Sequence, residues 1–268
     1  MRVLRTSHCF RLVAIASILI QPNPSVNAGT NDLEVREGGI IRGPKSQRLI
    51  ALAFTGHDFA EGGDVILDQL AGHHARASFF LTGAFLENPR FETLIRRMAR
   101  EGHYIGPHSD RHTLYCPWTG PKKTLISRGE FEADMRRNLQ KVSRFGIPPD
   151  QVHYWIPPYE WYNQEISGWS RAMGLQVVCF TPGTRANADY TEDHATNYVS
   201  SQEIFDSIVK REKTDPHGLN GFILLLHLGA GPGRADKMHN RFGELLDYLE
   251  ARGYRFVTVE ELLKDRSR

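Results

Sequence analysis

Short apolar runs of β type alternate with amphipathic helical patterns from residue 48 almost to the end, and this alternation restricts the fold more than any other feature. The runs are 48–54 (RLIALAF), 75–81 (ARASFFL), 103–107 (HYIGP), 153–158 (HYWIPP), 175–180 (LQVVCF), 221–227 (GFILLLH) and 254–259 (YRFVTV). The third is weak, because Gly106 and Pro107 break it early. Between the runs, 63–72 places Val65, Ile66 and Leu70 on one side, and 91–101 does the same with Phe91, Leu94, Ile95 and Met98. Ser127 with Glu130 forms a capping-box pattern before a helix ending near Phe145-Gly146. Further helices are expected at 163–173, 201–213 and 238–252, the last stopping at Gly253, whereas 181–200 is long and irregular. Strands separated by helices pair in parallel through crossovers. Seven such runs predict a closed or nearly closed α/β barrel, with an open doubly wound sheet as the alternative. No GxGxxG or GxxxxGK[ST] follows any strand, which argues against a nucleotide-binding version. In either architecture the functional residues belong at the C-terminal ends of the strands.

The residues ahead of this pattern read differently. Arg2, Arg5 and Arg11 form a basic region, Leu12–Ile20 a short apolar one, and Val26 and Ala28 the −3 and −1 places of a cleavage site. Nine apolar residues do not span a bilayer, so the expectation is export with cleavage near Ala28 and no membrane anchor afterwards. The expected organisation is a signal over 1–28, a polar, Gly-rich lead-in over 29–47, and one domain over 48–268. Removing 1–28 takes three Arg and no acid from 33 Lys+Arg and 31 Asp+Glu, leaving 30 against 31. With that balance no positive field points to nucleic acid or anionic lipid. Cys116 and Cys179 remain; an exported protein can pair them, but Cys179 in LQVVCF equally fits a buried free thiol. Oligomeric state is not legible.

Imidazole and carboxylate groups collect where the strands end. The first strand runs into Thr55-Gly56-His57-Asp58, the third into His108-Ser109-Asp110-Arg111-His112, the fourth into Pro157-Pro158-Tyr159-Glu160, and the sixth into Leu226-His227. His108 and His112 stand four apart, which on one helical turn faces both imidazoles the same way, towards one ion. Imidazole suits zinc, and a catalytic site adds a third protein ligand and an open position. Asp58 is the first candidate for that ligand.

The order of these pieces resembles the polysaccharide deacetylases (the NodB-homology group, carbohydrate esterase family four) from about residue 48 to residue 263. ARASFFLTG resembles the strand after that family's first motif, EGHYIGPHSDRH its second, WIPPYEWYN its third, ILLLH its fifth, and GYRFVTVEELL its closing strand and helix. The resemblance implies a distorted (β/α)7 barrel, a divalent metal, most readily Zn2+, on His108 and His112, and removal of acetyl groups from a polysaccharide or oligosaccharide. It also implies that a carboxylate takes the proton of the attacking water and that His227, in the fifth motif, protonates the departing group.

The sequence departs from the family in the first, third and fourth motifs. Aligned from Phe54, Thr55 and Gly56 replace the family's two aspartates, the base and a metal ligand. Ile156 stands where the family has the arginine that orients the base. His57 and Asp58 offer a replacement two residues later: Asp58 as ligand with His57 as base or fourth ligand, which is the preferred arrangement, or His57 as ligand with Asp58 as base. In the altered fourth motif Asp189 is expected to hold His227 through its other ring nitrogen. Tyr159, Trp161 and Tyr162 are candidates for stacking on sugar faces, and Arg185 and Asn187 for touching substrate.

Overall fold

β3 (Leu49–Gly56) is buried along its whole length, as its two-faced apolar sequence LIALAFTG requires of a central parallel strand. The computed structural model describes residues 32–120 and 123–264, so the expected signal over 1–28 lies outside the described residues. Two short strands precede β3, β1 (Glu34–Arg36) and β2 (Gly39–Arg42). After it come β4 (Ser78–Leu81), β5 (Tyr104–Pro107), β6 (Tyr154–Trp155), β7 (Gln176–Val177), β8 (Phe222–His227) and β9 (Arg255–Val257). The helices are α1 (Gly63–Gly72), α2 (Gly83–Glu87), α3 (Glu92–Arg100), α4 (Arg128–Ser143), α5 (Gln164–Ala172), α6 (Ser201–Thr214), α7 (Phe242–Glu250) and α8 (Val259–Leu263).

All seven expected strands are present, including β5, which keeps parallel register with β4 through Gly106 and Pro107. β3 pairs with β8 on one edge; on the other, β9 and β4 lie end to end, against Leu49–Ala51 and Ala53–Gly56. β6 and β7 form a separate parallel pair. Between β5 and β6 a side chain bridges the wall: the Tyr104 hydroxyl accepts from Tyr154 N–H at 2.8 Å and donates to Tyr154 O at 2.7 Å. These short and interrupted strands make the barrel distorted.

The lead-in is more structured than its composition implies. β1 and β2 form an antiparallel hairpin at the gap between β7 and β8. Arg42 pairs with Phe222 of β8, while Ile40 bridges to Val178 and accepts from Cys179 N–H at 2.9 Å. Ile41 and Arg42 are buried. The helices follow the expected periods closely, and the capping boxes of α4 (Ser127 with Glu130) and α6 (Ser200 with Glu203) are both formed. In α1, Leu67 takes the inward place expected for Val65, which is exposed. The core is one body of aliphatic and aromatic side chains beneath the strand ends, with Phe54 stacked on Phe79 at 5.3 Å and edge-on to Phe242.

Candidate active site

A pocket of about 650 Å³ opens at the C-terminal ends of β3, β5, β6, β7 and β8. Thr55, Gly56, His57, Asp58, His108, His112, Glu160 and His227 all line it, so distant segments converge as the strand-end placement predicts.

His108 and His112 are close, with ring centroids 5.1 Å apart, but not because of a helical turn. Residues 108–112 carry no helix; Ser109 (φ 70°) and His112 (φ 54°) are left-handed and fold the run into a tight loop. α4 holds that loop. Asn138 Nδ2 donates to Leu81 O and Ser109 O, and Asp134 accepts from Asp110 N–H. The Asp110 carboxylate, buried, meets Lys141 at 2.6 Å and Arg137 at 3.0 Å. His108 Nδ1 donates to Ile156 O at 2.7 Å, which leaves Nε2 with its lone pair. Ile156, at the expected arginine position, thus orients a histidine with its backbone while its side chain sits in the core.

Burial, with the nearby His112, holds the His108 pKa well below the ordinary imidazole value. Burial and the charges of His57 and His227 hold that of His112 at about 4. Two neutral imidazoles fit a divalent transition metal by donor chemistry. The expected carboxylate does not join them. The Asp58 side chain is 66% exposed, with His57 Nε2 at 3.5 Å. Among the described residues no three His, Cys, Asp or Glu side chains converge closely enough to hold an ion, so an Asp58-His108-His112 triad is not closed. His57 stacks on His112 at 4.5 Å with the rings 13° apart. Its Nδ1 lies 3.1 Å from Thr82 Oγ1, which already accepts from Phe85 N–H as the cap of α2. The hydroxyl can give its proton to Nδ1 or accept one from it, and the His57 tautomer follows from that choice.

His227 ends β8 directly beside Thr55 in the sheet. Asp189 meets it twice, Oδ1 at 2.6 Å from Nδ1 and Oδ2 accepting the His227 backbone N–H at 2.9 Å. Burial opposes a charge on this imidazole, but Asp189 outweighs it and raises the pKa above the ordinary histidine value. The irregular loop carrying Asp189 is anchored by Arg234, which is fully buried and donates to Thr191 O and Val199 O, both at 2.9 Å.

The aromatic rim differs in detail from expectation. Tyr159 is exposed over the pocket and lies 4.4 Å from the His112 ring. Trp161 donates to Pro117 O, and Tyr162 is buried with its hydroxyl on Arg36 O, holding the hairpin. Trp118, exposed beside Tyr159 and Trp161, joins the rim from a loop whose sequence carries no stacking signal. Asn187 lines the pocket; Arg185 is exposed outside its lining, its charge felt at Glu203 of α6. Cys116 and Cys179 are both buried and free, so they do not pair.

Compared with known families, residues 42–178 match the polysaccharide deacetylase model, just over half of the chain. The chain belongs to the polysaccharide deacetylase family. A peptidoglycan-N-acetylglucosamine deacetylase of Bacillus cereus is 25% identical over 223 residues, 83% of this polysaccharide deacetylase-family chain and 70% of that protein. A chitin deacetylase of Colletotrichum lindemuthianum is 26% identical over 204 residues, 75% of this chain and 73% of that one. The solved chitin deacetylase from that fungus superposes with a TM-score of 0.62 at 25% identity, covering 87% of this chain and 95% of that one. A Bacillus anthracis protein described as a CE4 family pseudoenzyme shares the fold, with a TM-score of 0.66 at 15% identity over 86% of this chain and 70% of that one.

Glu160 went unassigned by sequence reasoning. It follows the Pro-Pro-Tyr at the end of β6, and an acid at a strand end was the available signal.

Proposed function

We propose that this chain is an exported, metal-dependent deacetylase that removes N-acetyl groups from an N-acetylglucosamine-containing envelope or extracellular glycan. The observation that carries the reading is the placement of two histidine units in one pocket: the His108-His112 pair with a free Nε2, and His227 held by Asp189. The names of the peptidoglycan and chitin deacetylases among its relatives support the substrate class. His108 and His112 are the residues to hold the ion, which when bound acts as a Lewis acid on the acetyl carbonyl. His227, its pKa raised by Asp189, donates to the departing nitrogen. Tyr159, Trp161 and Trp118 supply faces for sugar rings at the rim.

The test is acetate release by purified protein with zinc or cobalt on chitooligosaccharides, chitin and peptidoglycan. Turnover should appear with at least one glycan, stop on chelation, and fall about 10²–10⁴-fold in His227→Ala. No acetate from any of the three, with metal demonstrably bound, rejects the reading. Thr55, Gly56 and Ile156 at the family's carboxylate and arginine positions favour a second one, a glycan-binding protein without turnover. Glycan binding indifferent to chelation and to His227→Ala, without acetate release, identifies that case.

A further inference from the structure

The deacetylase reading lacks the carboxylate base that the family resemblance implies. Thr55 and Gly56 carry no carboxylate, Asp58 points largely to solvent beside His57, and both Asp189 oxygens are engaged by His227. Two other acids line the pocket: Glu37, exposed on the turn of the hairpin, and Glu160, half-buried beyond the end of β6. Among the described residues no hydrogen bond or ion pair reaches the Glu160 carboxylate, although its surroundings partly bury it. It closes the 3-10 turn Pro158–Glu160, where Tyr159 (φ 62°) and Glu160 (φ 54°) are both left-handed. A glutamate is disfavoured at such a φ and a glycine is not, so backbone preference does not account for the residue.

We propose that Glu160 is the catalytic base of the deacetylation proposed above, a role that rests on that reading and replaces the carboxylate lost from the end of β3. Glu160 takes one proton from the attacking water as the water oxygen bonds to the acetyl carbon. The carbon–nitrogen bond then breaks while His227 gives its proton to the departing nitrogen. Glu160 finally passes its proton to His227, restoring both groups; amide and water have become amine and acetic acid. The return step runs within one pocket, which both groups line.

The groups facing Glu160 are His227 from β8, Asp189 and Tyr190 from the 181–200 loop, and Cys179 beyond β7. Burial pushes the Glu160 carboxyl up to about 7; the His227 charge pulls it down and Asp189 pushes it up. A base of that strength is half-ionised near neutrality and still accepts a proton readily.

The experiment compares wild type, Glu160→Gln and Glu160→Gly on the best glycan with metal added, across pH 5 to 9, with melting temperatures alongside. Glu160→Gln should lower kcat about 10²–10⁴-fold with KM nearly unchanged. Glu160→Gly should lose as much while melting no lower than wild type, because glycine accepts the left-handed φ. Formate should restore part of the Glu160→Gly rate, and the wild-type rise in rate through about pH 7 should vanish in that variant. If wild type releases acetate and Glu160→Gln stays within about threefold of it in kcat, Glu160 is not the base and the deacetylase reading stands. If wild type releases none, both fall.

Discussion

A carboxylate at position 56 is opposed by its neighbours as well as absent. A Cβ on Gly56 would lie 2.9 Å from side-chain carbons of Leu228 and Leu81 and 3.0 Å from the Phe85 ring, inside ordinary contact distance. The strand end is packed for a glycine, and an aspartate there would have to push aside these three side-chain tips at the wall of the histidine pocket. Gly56→Asp should therefore cost about 1–3 kcal/mol and release no additional acetate, as urea unfolding and the acetate assay would show. A stable Gly56→Asp protein with raised turnover would mean that the strand end relaxes easily and that this packing account is wrong. The loss of acids at 55 and 56 was legible in the sequence; the reason it is hard to reverse was not, because Leu81, Phe85 and Leu228 reach Gly56 from other strand ends and helices. Glu160 was left without a role for a related reason. Two successive left-handed residues set its direction, and neither period 2 nor period 3.6 describes that.

The loop carrying His108 and His112 owes its shape to α4 more than to its own sequence. The spacing of four suggested a helical turn; the structure reaches the same proximity through two left-handed residues and a set of buried donors and acceptors. The capping box and periodicity made α4 readable, but its polar inward residues Asp134 and Asn138 gain meaning only from what they touch. Asn138 Nδ2 serves Leu81 O at 3.1 Å and Ser109 O at 3.2 Å, one carbonyl on β4 and one inside the histidine loop. Asn138→Ala leaves both buried acceptors without that donor and should cost about 2 kcal/mol in thermal or denaturant unfolding. Because the loop then loses one of its ties to α4 while its backbone bonds to Leu81, Gly83 and Ala84 remain, zinc affinity should fall roughly tenfold, the scale seen when groups behind metal ligands are removed. Calorimetric zinc titration decides it: wild-type affinity in a destabilised Asn138→Ala protein would show that the loop holds its histidines without α4.

Across the whole molecule the barrel depends on residues ahead of its first repeat. β6 and β7 have no ladder to β8, and the hairpin of β1 and β2 occupies that gap while Arg36, Glu37 and Ile41 form part of the pocket wall. The alternation after residue 48 was enough to give the seven strands and their crossovers, but not this wedge, since a Gly-rich polar segment acquires order only from the edges it meets. Its fastening is ionic. Arg42, buried, donates to Asp215 Oδ2 at 3.0 Å, Asn220 O at 2.9 Å and Gly218 O at 3.1 Å, joining β2 to the end of α6. Burial would raise the Asp215 pKa, but the Arg42 and Arg211 charges and the His217 N–H outweigh it and hold the carboxyl below its ordinary range. A lowered folded-state pKa contributes stability that is complete above the unfolded-state value and is lost as pH falls through the folded one. Arg42→Met should thus cost about 3 kcal/mol at neutral pH, softened by Arg211, which remains 2.7 Å from Asp215. Its deficit should shrink as the buffer is taken below the ordinary carboxylate range, because wild type then loses what the variant already lacks. Acetate release at neutral pH should fall with it, since a loosened hairpin moves one wall of the pocket. Parallel stability-against-pH curves for the two proteins would show that the ion pair is not what fastens the hairpin, leaving the backbone contacts at Ile40 and the Tyr162 hydroxyl on Arg36 O to do so.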